Sequence, residues 1–283
     1  MKAGTGPMAQ SVTWHDRRWQ GTLQADGFRD YEDFIDARTD QPVWERSTTK
    51  TFRLTTRDPE DGRTTGLYLK KYSYPRQRWQ TLFRPDKPAV ERRNYEFLRR
   101  NMGDVVPIVV ATGRRRRWMM LRDAFILTVE LPDCVQLDTY AQTHWEGTPP
   151  EAERVRQDRL IETTADLIRR MHDVDFYHID LQWRNILVRF EGESEGARAF
   201  LIDAPRGGRR LLWARRRHGQ LRDLSSLDKL ARFYLTRTQR LRWFTRYTKR
   251  RRISPSDRRL IRAILADRAR YERARARRLN PDE

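Results

Sequence analysis

The hydrophobic period of this chain changes twice between Glu151 and Asp203, and that change limits what it can fold into. Ile161, Ala165, Ile168 and His172 fall at helical spacing within a segment running from Glu151 to His172. The period breaks at HIDLQWRN, His178 to Asn185. Asn185 to Phe190 and Ala199 to Asp203 then read as two short strands around the polar turn EGESEG. A long helix thus feeds a polar loop and a small β-insert.

The flanks extend this order. Thr49 to Thr56 is rich in β-formers, DPEDG supplies turn chemistry, and Gly66 to Tyr72 resumes an extended pattern, so a β-hairpin is expected. Val90, Asn94, Phe97 and Leu98 give a helix over about Pro88 to Arg100, closed at Asn101-Met102-Gly103. Val105 to Ala111 and Trp118 to Leu121 read as another strand pair, separated by Thr112-Gly113 and four arginines, with a helix near Leu137 to Gln142 after it. Beyond Leu221 the pattern is helical, with a fresh start where Ser254 caps and Pro255 takes the first turn. Strands come first and helices later.

With 283 residues the chain can bury a sizeable core, and 11% aromatics supply the anchors despite 35% charged residues. Lys and Arg number 59 against 39 Asp and Glu, a net charge of +20, which predicts phosphate-rich partners: nucleic acid, anionic membrane or a phosphorylated substrate. The runs Arg114 to Arg117, Arg215 to Arg217 and Arg250 to Arg252 suit bidentate anion contact, and equally an ordinary solvated face. Cys134, the one cysteine, excludes an intramolecular disulfide or a Cys-based zinc cluster, fits a reducing compartment, and reads as a small buried hydrophobe. MKAGTGPMAQSV lacks a signal-peptide core and no stretch is long and apolar enough for a membrane span, so a cytoplasmic protein, resting on a membrane at most, is expected.

His178, Asp180, Leu181 and Asn185 fit the H-x-D-L-x-x-x-N pattern of a phosphoryl-transfer catalytic loop, in which the aspartate accepts the substrate proton and the asparagine binds magnesium. The chemistry asks for an oriented hydroxyl, held phosphates and neutralised charge. Asp180 and Asn185 must face different targets, which one regular element does not allow. A second magnesium ligand belongs on the strand paired with Asn185 to Val188, and Asp203 ends the apolar run Phe200-Leu201-Ile202. His178 reads as a brace for the loop rather than a catalytic base. A lysine must also reach the ATP phosphates from an early strand. Lys70 keeps the alternation of Tyr68 while Lys71 points to the opposite face; Glu91, near the start of the next helix, is the partner, with Glu96 as the lesser candidate.

The segments GLYLKKY, VERRNYEFL, RRMHDVDFYHIDLQWRNILV, FLIDAPRG and RDLSSLDKLARFYLTRTQRLRWFTRYTK resemble the lipopolysaccharide kinases of the Kdo/WaaP type over about Trp44 to Tyr247. The resemblance implies an α+β, bilobal protein-kinase-like fold, with a small β-rich N-terminal lobe over residues 1–122 and a larger helical C-terminal lobe over 123–283. It implies ATP and Mg2+ as cofactors and phosphate transfer to an inner-core sugar, heptose or Kdo, of a lipid A-core glycolipid at the anionic inner membrane surface, with no specific nucleic acid. Lys70 would contact ATP, Glu91 orient it, Asp180 act as base, Asn185 and Asp203 hold magnesium, and Asp223 brace the catalytic loop.

Three departures bear on this. No G-x-G-x-x-G precedes Lys70, so a phosphate-covering loop would lie near Arg46 to Phe52 without glycine. Ile179 stands where regulated protein kinases have arginine, which points to constitutive activity. IDAPRG keeps the DFG aspartate but places proline two positions on, which disfavours a mobile switch. A kinase of the aminoglycoside or choline type, and a basic nucleic-acid-binding protein without catalysis, are the competing readings. The first suits an acidic cleft better than this chain, and the second leaves Asp180, Asn185 and Asp203 without a purpose.

Overall fold

The computed structural model describes residues 8–37, 42–75, 85–147, 149–192 and 196–279. The chain divides into two compact units, residues 1–97 with 107–132 and residues 98–106 with 133–283. The middle of the polar turn EGESEG, residues 193–195, lies outside the described residues.

The first unit is built on a six-stranded antiparallel sheet. Its strands are β1 (Met8–Trp14), β2 (Trp44–Arg46), β3 (Thr49–Arg57), β4 (Thr64–Ser73), β5 (Val109–Arg117) and β6 (Met120–Val129), in the order β1-β5-β6-β4-β3-β2. The hairpin expected over Thr49 to Tyr72 forms, with Thr51 opposite Lys70 and Phe52 opposite Leu69. Two short helices with no clear sequence signal, α1 (Arg18–Ala25) and α2 (Tyr31–Asp36), add Trp19, Leu23, Tyr31 and Phe34 to a core with Leu67, Leu69, Val110, Phe125 and Leu127. Phe34 stacks on Phe125 at 4.5 Å between ring centres. Gly113 makes room for that ring, because a Cβ there would sit 2.2 Å from Phe125. Helix α3 (Lys87–Met102) matches the expected helix, and the division between units falls within it, after Phe97.

Two expectations need correction here. The four arginines do not separate the strands of the second pair. They lie within β5, and the reversal is the two-residue turn Trp118-Met119, both at positive φ (52° and 62°), flanked by the pair Arg117 and Met120. Such a turn matches the twist of a hairpin and normally carries Asn-Gly, so it gave no signal in the sequence. The boundary expected after residue 122 falls inside β6, which pairs with both β4 and β5; the first unit therefore extends to Pro132. The expected strand Trp118 to Leu121 ends near that boundary, whereas the pairing of β6 with β4 and β5 carries the sheet on to Val129.

The second unit is mainly helical, with α4 (Leu137–His144), α5 (Glu151–Asp173), α6 (Trp213–Tyr234), α7 (Arg237–Thr248) and α8 (Pro255–Leu279). The short strands β7 (Val135–Gln136), β9 (Ile186–Phe190) and β10 (Ala197–Leu201) form one ribbon in the order β10-β9-β7, and β8 (Phe176–Tyr177) pairs with β11 (Gly208–Arg209). The stripe Leu160, Ile161, Ala165, Ile168 and Met171 of α5 is buried, and α5 packs against α7 and β10. Arginine also serves this packing: Arg242 reaches Asp158 and Glu162, each at 2.6 Å, and Arg246 reaches Asp166 at 2.6 Å. These arginines are paired within the chain, although such pairs leave the net charge of +20 unchanged. Helix α6 begins at Trp213, eight residues before the expected start, whereas α8 starts as expected: Ser254 and Asp257 cap each other, the amide of Asp257 donating to Ser254 Oγ at 3.2 Å and that of Ser254 to Asp257 Oδ2 at 2.9 Å. An apolar cavity of about 240 Å³, with Leu160, Trp183, Leu227, Trp243, Phe244 and Ile264 among its walls, lies within this unit. Cys134 is half-buried rather than buried, and desolvation raises its thiol pKa. Among the described residues no helix is long and apolar enough to cross a membrane.

Candidate active site

In the first unit, β4 gives two adjacent lysines different surroundings. Successive side chains on a strand face opposite ways, and Lys70 and Lys71 have different partners. Lys70 Nζ lies 3.4 Å from both carboxylate oxygens of Glu91, while Lys71 Nζ donates to the backbone carbonyls of Ile35, at 2.8 Å, and Ala37. Glu91, on α3, is only 2% exposed and accepts two further bonds, from Tyr72 OH at 2.8 Å and Tyr95 OH at 3.0 Å. A buried carboxylate with three donors is fixed in place. Glu96, by contrast, pairs with Arg92 on the surface of α3. The β2–β3 hairpin turns at Ser47-Thr48, without glycine, on the strand that pairs with β4.

In the second unit, the loop between β8 and β9 is held from beneath by α6. Asp223 is fully buried; its Oδ2 accepts the amide of His178 at 2.8 Å and its Oδ1 that of Ile179 at 2.6 Å. Ile179 sits at φ 68°, a conformation a β-branched residue adopts only under constraint, and the two amide bonds supply that constraint. His178 Nε2 donates to Ile202 O at 2.9 Å, which ties the start of the loop to the end of β10. The amide of Ile202 in turn donates to Asn185 O at 3.0 Å, continuing the ladder in which Leu201 faces Ile186. Asp203 follows at once, outside β10 and at φ 57°. The structure therefore brings together Asn185 and the chain bearing Asp203, as the register argument required, although the strand ends two residues before Asp203.

The remaining bonds orient the two loop side chains. Asn185 Nδ2 donates to Asp180 O at 2.8 Å, which leaves the side-chain oxygen as acceptor. Gln182 Nε2 donates to Asp180 Oδ1 at 2.6 Å, and Trp183 Nε1 anchors the short 3-10 turn Trp183–Asn185 to Leu227 O at 2.9 Å. Two oxygen-bearing side chains is the protein contribution magnesium commonly takes when phosphates and water complete its octahedron. Among the described residues no three His, Cys, Asp or Glu side chains gather as a metal cage, so a metal here would depend on its substrate for further ligands.

Two features escaped the sequence reading. His172 reads as part of the apolar stripe of α5, yet its Nε2 donates to Asp223 Oδ2 at 3.2 Å and its Nδ1 accepts from Tyr247 OH at 2.7 Å. Burial raises the Tyr247 pKa and keeps that hydroxyl a donor, and Gln220 Nε2 donates to its oxygen at 2.8 Å. The second feature is electrostatic. On α6, Arg222 and Lys229 are two turns apart and share a face. Burial, then the Arg222 charge, hold the Lys229 ammonium below the ordinary lysine value; Arg184 acts the same way, while Asp267 and Asp180 oppose it. Lys229 also lies 3.6 Å over the Tyr271 ring. Arg222, Asp267, Asp180 and Arg184 thus all act on Lys229, a mixed-charge grouping that spacing within α6 hints at but does not reveal.

A lysine–glutamate pair on a sheet and its helix, and an aspartate-asparagine loop joined by its strand ladder to a second aspartate, are the parts of a phosphotransferase of the protein-kinase-like class. Residues 51–247 match the lipopolysaccharide kinase (Kdo/WaaP) family, and the chain belongs to that family. Among solved structures it is similar to "WaaP in complex with acyl carrier protein", with 23% identity, 92% of this chain and 97% of that chain covered, and a TM-score of 0.61, a likeness that establishes the fold. No curated protein matches it.

Proposed function

We propose that this kinase transfers the γ-phosphate of ATP to a sugar hydroxyl, on heptose or Kdo, in the inner core of lipopolysaccharide. The observation that carries this is the catalytic loop, with Asp180 presented by a backbone that Asp223 and Asn185 hold from both sides. Asp180 accepts the acceptor proton. Lys70, held by Glu91, contacts the nucleotide phosphates, and Asn185 and Asp203 hold Mg2+. When bound, the ion neutralises charge on the phosphates. The protein's own contribution is positional: a base fixed by short bonds and a lysine locked by a buried carboxylate.

The chain's net charge of +20 favours an acidic acceptor over the cationic ones of aminoglycoside or choline kinases. Lys229, whose charge interacts with Asp180, would repel a cation and draw in a carboxylate or phosphate carried by the core. We place the protein in the cytoplasm, at the inner membrane face where such an acceptor is anchored, with the bilayer's anionic surface and the lipid A-core glycolipid as its partners. The similar structure bound to an acyl carrier protein makes a carrier of that kind a further proposed partner, and the apolar cavity of the second unit has space for a hydrocarbon segment.

The test is ATP transfer to purified lipopolysaccharide core, comparing the wild type with Asp180→Ala. A loss of at least several hundredfold is expected from combined base and positioning roles. Equal turnover by the variant would reject the assignment of Asp180.

A further inference from the structure

The segment between β11 and α6 holds Leu211, Leu212 and Trp213 in the open, 64%, 62% and 70% exposed. Single exposed apolar residues need no explanation, but three large consecutive ones are a patch. The sequence around it carries charge of one sign. From Ala204 to Arg222 the chain has seven arginines and no Asp or Glu, and Arg206, Arg209, Arg215 and Arg217 are exposed.

The patch is also held firmly. Gly208 and Arg209 pair with Tyr177 and Phe176, and the amide of Arg210 donates to Asp175 O at 2.9 Å. Arg216 closes the far side, with its Nε donating to Arg210 O at 3.0 Å and its Nη2 2.9 Å from Asp175. Gly219 on the first turns of α6 lets the helix lie against Tyr177, where a Cβ would meet the ring at 2.5 Å. Arg217 lies over the Trp213 ring at 5.5 Å. An ordered loop thus projects two leucines and a tryptophan with arginines on either side.

We infer that Leu211, Leu212 and Trp213 insert into the headgroup region of an anionic bilayer while the flanking arginines bind lipid phosphates. Leucine and tryptophan suit the boundary between acyl chains and headgroups, and arginines beside them meet its negative potential. A water-filled nucleic-acid groove would use the arginines but leave the leucines wet. The partner strand of β11 ends at Tyr177, directly before His178, so the inserted loop is braced by the chain that enters the catalytic loop. Docking through it would bring that loop to a membrane-anchored acceptor. The membrane contact stands by itself; only this last consequence rests on the proposed lipopolysaccharide kinase activity.

The test is vesicle flotation of the full chain with phosphatidylcholine alone and with phosphatidylglycerol added, without nucleotide. Leu211→Ser/Leu212→Ser/Trp213→Ser should weaken binding to the anionic vesicles on the order of tenfold for each side chain removed. Arg215→Gln/Arg217→Gln should abolish the preference for phosphatidylglycerol. Brominated lipid should quench the wild type more than Trp213→Phe, which reports insertion even if the triple variant fails to fold. Equal binding of wild type and a folded triple variant, or no difference in quenching, would overturn the inference, as would a wild-type dimer that the triple variant converts to monomers. Transfer to vesicle-embedded glycolipid should fall in the triple variant while transfer to the delipidated oligosaccharide holds. Wild type inactive on both acceptors but bound to vesicles would reject the kinase reading and leave this one standing.

Discussion

Replacing Asp223 with asparagine isolates the device that holds the catalytic loop. The wild-type carboxylate takes three donors, the amides of His178 and Ile179 and the ring N–H of His172, at 2.8, 2.6 and 3.2 Å. Asparagine keeps one acceptor oxygen and turns an NH2 group toward a donor, leaving at least one buried N–H unsatisfied at about 1–3 kcal/mol. Ile179, at φ 68°, then loses one of the bonds that hold it there, and that conformation itself costs about 1–3 kcal/mol. If about 2 kcal/mol appears as lost population of the competent loop, kcat falls about 30-fold. The KM for ATP stays within about twofold, since Lys70 and Glu91 keep their mutual contact. Alanine is less informative: three unmet donors approach the whole stability of a domain, about 5–15 kcal/mol. Steady-state kinetics of Asp223→Asn should be paired with hydrogen exchange at the amides of His178 and Ile179. Faster exchange at these amides together with lower kcat is the expected result. A variant that loses kcat and thermal stability with unchanged exchange at both amides would show that Asp223 supports the fold generally, and the reasoning would fail.

Two other outcomes follow from the same geometry. Lys70→Met should reduce kcat/KM for ATP at least about a hundredfold, whereas Lys71→Met, which loses bonds to Ile35 and Ala37 on the opposite face, should lower thermal stability and leave turnover per folded molecule within about twofold; reversed effects would place the nucleotide on the other side of the sheet. Lys229→Met should raise the KM for an acidic acceptor about tenfold and spare the KM for ATP, and an equal rise in both would remove Lys229 from the acceptor side.

How much of this was legible depended on whether the information was local. The alternation in GLYLKKY separates Lys70 from Lys71 because a strand has a strict period of two, and their partners lie on opposite faces. Asp203 was legible because two short apolar runs around a polar turn must pair, and Leu201 facing Ile186 brings the next residues beside Asn185. Nothing local marked Trp118-Met119 as a turn, since positive φ at two bulky residues is tolerated only where β5 and β6 are already paired. The same non-local pairing displaced the expected boundary at residue 122. The helices α1 and α2 are too short to show a period, and only the sheet beneath them explains why Trp19 and Phe34 are buried. Arg184, Arg222 and Lys229 are the clearest case. Helical spacing places Arg222 and Lys229 on one face of α6, but the interaction of Lys229 with Asp180 depends on Asp223 and Leu227, whose bonds hold the helix to the loop. The helix that braces the loop through Asp223 and Leu227 therefore also carries Lys229, the cation that interacts with Asp180, so that in the proposed function loop bracing and attraction of an acidic acceptor come from one element.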